Sequence, residues 1–191
     1  ATPRYTAAGC AGAFHRSAIV VGAGSGVTAL EDLRGGRCAF NDAASNTGVN
    51  LLRAELAPLA REGRFFAEVS PTGSHAASLA AVAVGKADVA AIDCVTLALL
   101  GRHDPDLVAA VRVLKWSVAC PGLPLITALS TPAEGVLALR RVLHEVAADP
   151  LLAEARRALL IDGFSVLPDG LYEQIPLLGK AAAQRGYPAL A

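Results

Sequence analysis

Arg37-Cys38-Ala39-Phe40-Asn41 runs into Asp42-Ala43-Ala44-Ser45-Asn46-Thr47-Gly48, and then into a stretch whose leucines fall at Leu51, Leu52, Leu56 and Leu59. The first block is a short apolar run of strand type. The last has helical spacing over about residues 47–60, and the Ser/Asn/Thr/Gly cluster between them is cap and loop chemistry. Strand, polar loop and helix in that order form the unit of an α/β fold. The same order returns downstream. Residues 65–69 are expected as a strand, Pro71-Thr72-Gly73-Ser74-His75 as a loop, and residues 74–84 as a helix ended by Gly85. Residues 87–92 then read as a strand closing on Asp93. Upstream, Ser17-Ala18-Ile19-Val20-Val21 reads as a buried strand, and residues 28–34 as a short helix stopped by Gly35-Gly36. Residues 111–114 and 123–128 complete the expected strands. Beyond Thr131-Pro132 the pattern turns helical to about Leu160, split at Pro150. Further helical stretches lie near Leu171 and Leu178, separated by Pro176.

The bulk composition narrows the function. Hydrophobic residues make up 53% of the 191, much of it alanine, so a sizeable core of small-residue packing is expected. Lys+Arg and Asp+Glu balance at 17 each, which removes the basic footprint of a nucleic-acid binder. Aromatics at 5% leave little for base stacking. No apolar run reaches the roughly 18 residues needed to span a bilayer. The chain opens on Ala1-Thr2-Pro3-Arg4 without a starting Met or a signal peptide, a start expected of a processed or truncated end. Cys10, Cys38, Cys94 and Cys120 lack the spacing of a zinc site, so neither a metal nor a cofactor is expected. Free buried thiols and one disulfide are both compatible with that count.

Two loops carry the chemistry. A helix N-terminus presents N–H groups without intrahelical partners and a partial positive charge. Ser45, Asn46 and Thr47 add neutral donors at one such terminus. Thr72, Ser74 and His75 add them at the next. Each loop taken alone reads as helix capping. Two of them in succeeding β-α units can lie side by side at the carboxyl edge of a parallel sheet, where open α/β sheets bind ligands. That pairing suits a small oxyanion such as phosphate, phosphonate, sulfate or carboxylate. Asp93 should face the same edge, either capping the following helix or holding a loop N–H or an ammonium group. Trp116, the single tryptophan, is expected either on a cleft wall or in the core.

Other readings carry less. Val21-Gly22-Ala23-Gly24-Ser25-Gly26 invites a dinucleotide site, but position 27 is Val where a third glycine belongs and the next helix is short. A flexible turn fits better. Ser74 next to His75 is badly placed for a nucleophile and its base, and no nucleophile elbow or carboxylate pair is present, so enzymatic activity is not expected.

The ordered series Tyr5, Gly9-Cys10-Ala11-Gly12, His15-Arg16-Ser17-Ala18-Ile19-Val20-Val21, Leu30-Glu31-Asp32-Leu33-Arg34-Gly35, Ser45-Asn46-Thr47-Gly48, Thr72-Gly73-Ser74-His75 and Gly85-Lys86-Ala87-Asp88-Val89-Ala90-Ala91-Ile92-Asp93 resembles the phosphate/phosphonate-type periplasmic solute-binding components of ABC transporters. The likeness spans about residues 5–128. It implies a type II periplasmic-binding-protein fold, with two α/β lobes around a ligand cleft. It also implies an ABC permease as partner and a periplasmic or extracytoplasmic location. In such proteins a Ser-Thr-Ser-like triplet and the His of a Gly-Ser/Gly-His segment hold the phosphonate oxygens, positions that fall here on Ser45, Asn46, Thr47 and His75. The middle residue departs from the pattern, being Asn, and His15 stands where the family often has Tyr. The resemblance also implies first-lobe sequence ahead of residue 1. The expected division is then residues 1–14 as hinge or first lobe, 15–125 as a complete second lobe, and 126–191 as helices returning to an apparently truncated first lobe. The alternatives are a regulator's ligand-sensing domain of the same fold, and behind it an enzyme of that fold.

Overall fold

The computed structural model describes residues 1–191. At its centre lies a five-stranded sheet built from β3 (Ser17–Gly22), β4 (Arg37–Phe40), β5 (Glu68–Pro71), β6 (Val89–Asp93) and β7 (Val111–Trp116), in the order β5-β4-β6-β3-β7. The sheet is mixed rather than parallel: β4 runs parallel to β5 and β6, whereas β3 runs antiparallel to β6 and β7. Two short antiparallel pairs lie outside it. These join β1 (Thr2–Tyr5) to β9 (Ile161–Ser165) and β2 (Phe14–His15) to β8 (Cys120–Pro121).

Strand β3 shows why the sheet forms a core. Ile19 and Val21 enter one apolar cluster, while Ala18 and Val20 enter the other. Side chains of a strand alternate between faces, so a continuous apolar run fills both. Strand β6 divides the same way, Val89 and Ala91 on one side and Ala90 and Ile92 on the other. Helix α1 (Leu51–Leu56) covers the first face through Leu52 and Leu56, and α2 (His75–Ala83) covers the second through Leu79 and Val82. Helices α3 (Cys94–His103) and α4 (Pro105–Ala109) connect β6 to β7.

Several expectations shift. Strand β5 begins at Glu68, not residue 65, because Phe65 and Phe66 turn inward as an edge-to-face pair with ring centroids 5.0 Å apart. Residues 123–128 form no strand. Pro124 lacks the N–H a ladder needs, and the chain pairs at Cys120–Pro121 instead. Pro176 does not divide a helix, since α7 (Gln174–Gln184) carries it in the first turn, where a missing N–H costs nothing.

The C-terminal region has two parts with different surroundings. Helix α5 (Ala133–Ala148), helix α6 (Ala153–Ala158) and strand β9 form an arm. The end of the chain does not stay with it. Helix α7 packs on α1, and Ala182 and Tyr187 lie in the same core cluster as Ile19, Leu52 and Leu56. Residues 174–191 therefore pack against the central sheet and α1. Arg53 and Pro188 are joined by a hydrogen bond, and the backbone N–H groups of Phe65 and Phe66 both donate to the Ala191 carbonyl.

Candidate functional site

The sheet order brings the two loops together. Strands β5, β4 and β6 are neighbours with a common direction, so their carboxyl ends share one edge. Antiparallel β3 delivers its beginning to that edge, with Ser17 opposite Asp93. Its Gly22-to-Gly26 end lies at the opposite edge, beside the start of β7, so the glycine-rich turn has no access to the loops.

The first loop leads into one wide π-helical turn, Asn46–Asn50, before α1. Such turns are rare and recur at functional sites. Ser45 caps it, its Oγ accepting from Gly48 N at 2.9 Å. Gly48 is required by space, because a Cβ there would stand 1.7 Å from Asn41 Oδ1. Asn46 Nδ2 donates to Cys120 Sγ at 3.3 Å, while Asn46 Oδ1 accepts from Asn50 Nδ2 at 3.0 Å. The Thr47 carbonyl accepts from Ser17 Oγ at 2.7 Å, which fastens the loop to the start of β3.

The second loop is fastened differently. Thr72 Oγ1 lies 3.1 Å from both the Phe40 and Ser74 carbonyls and 2.7 Å from Ser78 Oγ, so this hydroxyl holds the loop's own shape. Ser74 caps α2, accepting from Ala77 N at 3.1 Å. Its hydroxyl hydrogen remains available, as does that of Ser45.

The loops meet at Thr47 and His75, whose Oγ1 and Nε2 lie 3.1 Å apart across 28 residues of sequence. Burial lowers the His75 pKa below its ordinary value, against the raising influence of the Asp93 carboxylate. The neutral ring is therefore favoured. His75 Nδ1 is buried without a hydrogen-bond partner.

Asp93 closes the group. Its Oδ1 accepts from Val95 N at 3.0 Å and Thr96 N at 2.9 Å, capping α3. Its Oδ2 faces His15 Nδ1 at 3.4 Å. His15, 4% exposed, also has a pKa lowered by burial and opposed by Asp93, and its Nε2 is buried and unpartnered. The structure thus gathers six of the seven expected residues into capping or cross-loop contacts and sets Thr72 behind them. It adds His15, Ser17 and Asn41, which sequence reasoning did not place in the site. The signal that could have found His15 and Ser17 is the antiparallel start of β3, visible only once pairing is known, whereas Asn41 is met through its contact at Gly48. Trp116 packs against the core clusters and over Gly9, whose φ is +90°.

Two helix-capping loops meeting at one edge of a mixed sheet define the class of structure: an α/β lobe. The family model described as ABC transporter, phosphonate, periplasmic substrate-binding protein matches residues 2–172, and the chain belongs to that family. No curated protein matches the sequence significantly. Among solved structures, a binding-protein component of an ABC phosphonate transporter from Pseudomonas aeruginosa aligns with TM-score 0.79 at 20% identity, covering 96% of this chain and 62% of that one. PhnD1 from Prochlorococcus marinus, in complex with methylphosphonate, aligns with TM-score 0.68 at 16% identity, covering 96% and 73%. A Xanthomonas citri protein bound to ATP aligns with TM-score 0.70 at 21% identity, covering 96% and 71%. These likenesses establish the periplasmic-binding-protein type of fold, and this chain spans only part of each relative. No helix is long and apolar enough to cross a membrane.

Proposed function

We propose that the protein captures a small oxyanion of the phosphonate or phosphate class and presents it to an ABC permease for import. The observation that carries this reading is the Thr47–His75 contact, which joins two helix-capping loops into one donor surface. In this reading Ser45 and Ser74 donate their hydroxyl hydrogens and Asn46 its side-chain amide, while His75 donates Nε2–H to Thr47 Oγ1 and so turns the Thr47 hydroxyl hydrogen toward the anion. The first amides of the Asn46–Asn50 turn, which lack partners within the helix, face the same anion. Neutral donors hold an anion by oriented hydrogen bonds and release it without breaking an ion pair. Asp93 acts as a positioning residue, since its oxygens are engaged by the α3 amides and His15. The relatives exceed this chain in length, and a second lobe is proposed to close over the loop edge. Family membership favours a binding component over the sensing-domain and enzyme alternatives.

A thermal-shift series with phosphate, methylphosphonate, sulfate and acetate tests the proposal. A ligand present at 100 times its Kd adds about 2.7 kcal/mol to apparent stability. A rise with phosphate or methylphosphonate is expected. No rise with any of the four oxyanions overturns the reading.

A further inference from the structure

Cys10 lies between β1 and β2, and Cys94 is the first residue of α3, directly after Asp93. Their sulfurs are 3.3 Å apart although 84 residues separate them in sequence. The backbone is equally close. A Cβ placed on Gly9 would stand 3.0 Å from the Cys94 Cβ, so the two segments lie against each other beside the Trp116 ring. Cys10 is half-buried and open to solvent on one side, whereas Cys94 is 1% exposed. The other two thiols are placed otherwise. Cys38 sits inside the sheet core, where burial pushes its thiol up to about 12. Cys120 accepts a hydrogen bond from Asn46. No group of three His, Cys, Asp or Glu side chains has the arrangement of a metal site, which leaves thiol chemistry as the use of the pair.

We propose that Cys10 and Cys94 form a disulfide that clamps the segment after β1 onto the start of α3, beneath the Asp93–His15 contact. The oxidant is a protein or low-molecular-weight disulfide. The exposed Cys10 thiol loses its proton and attacks it, forming a mixed disulfide and releasing one thiol. Cys94 then loses its proton, attacks the Cys10 sulfur and displaces the second thiol. One sulfur–sulfur bond forms in the protein, one breaks in the oxidant, and two electrons pass to it. Cys94, 1% exposed, is shielded from an external oxidant but lies 3.3 Å from the Cys10 sulfur, which suits it to the resolving step. A bridge across so long a loop restricts the unfolded chain strongly. The proposal does not depend on the identity of any ligand.

The test equilibrates the protein with oxidised glutathione, alkylates the remaining thiols under denaturing conditions, and maps peptides by mass spectrometry. The expected product is two hydrogens lighter, with Cys10 and Cys94 in one cross-linked peptide pair and Cys38 and Cys120 alkylated. Its Tm should exceed that of the dithiothreitol-treated protein by roughly 5 to 15 °C. Cys10→Ser and Cys94→Ser should each abolish the mass change and the redox dependence of Tm. Because the wild-type protein is compared with itself in two redox states, poor folding of a variant does not obscure the result. Four alkylated cysteines after oxidation, or a cross-link from Cys94 to Cys120, would overturn the proposal.

Discussion

Strand β3 and helix α5 both carry many apolar residues, yet they end in different surroundings. Five of the six residues in β3 are buried, and none of the sixteen in α5 is. Strand β3 is covered on both faces by α1, α2 and the returning α7. Helix α5 instead leaves Leu137, Leu139 and Val142 exposed, beside a groove of about 690 Å³ that also takes in Leu125, Ile126, Val166 and Tyr172. An apolar pattern fixes the element type, but only the presence of a second surface turns that pattern into stability. The α5 arm is tied to the rest of the chain by the β1–β9 ladder, by Leu160 packed with Cys94 and Val95, and by Arg102 donating to the Arg157 and Ala158 carbonyls.

The largest expected contrast follows from that difference. Leu56→Ala, at a fully buried position, should cost about 2–5 kcal/mol in urea unfolding, the range for a cavity in a packed core. Leu139→Ala, half-exposed on α5, should stay within about 0.5 kcal/mol. Equal losses at both positions would break the comparison. Gly48→Ala sharpens it within the lobe. The added methyl meets Asn41 Oδ1, so the loop must shift, and a loss of about 1–3 kcal/mol is expected by the same assay.

Acid should also act on the lobe first. His15 and His75 have folded pKa values below the ordinary value of about 6.5. The unfolded chain therefore binds protons before the folded one does. Their contribution is complete above about pH 6.5 and is lost as pH falls through the lower folded values. Unfolding midpoints should drop over that interval, and His15→Asn with His75→Asn should flatten the drop. A modest effect is expected at the surface pair of Arg37 and Asp88, whose oxygens and guanidinium approach to 2.8 Å. Asp88→Asn should cost about 1 kcal/mol at neutral pH. The Arg37 hydrogen bond lowers the Asp88 pKa, so this cost should shrink as pH falls below about 4 in a matched pair of denaturation curves.

The sheet strands and both loops were legible because their signals are local: apolar runs, leucines at helical spacing, and Ser/Asn/Thr caps ahead of helices. Strands β1, β2, β8 and β9 were not. Each has two to five residues, and β9 contains Asp162 and Gly163, so pairing at long range rather than composition makes it a strand. Strand direction was hidden for the same reason. The antiparallel placement of β3 brings His15 and Ser17 to the site, and no residue between 17 and 22 announces it. The return of α7 depends on Tyr187 finding the space beside Leu52 and Leu56, a contact across 131 or more residues. Thr72 shows the opposite limit. Its residue type suited a ligand contact, while its hydroxyl is engaged by the loop itself.

The central claim is that the loops at 45–47 and 72–75 act as one oxyanion site through Thr47 and His75. Isothermal titration of methylphosphonate and phosphate into the protein, its Thr47→Val form and its His75→Ala form tests it most directly. Saturable binding by the wild type, weakened about 10- to 100-fold in each variant, is the predicted result, since Thr47→Val removes an anion-facing hydrogen bond worth about 1.5–3 kcal/mol and His75→Ala removes the N–H that orients it. Undiminished affinity in both variants, or no heat of binding with either oxyanion, would contradict the account.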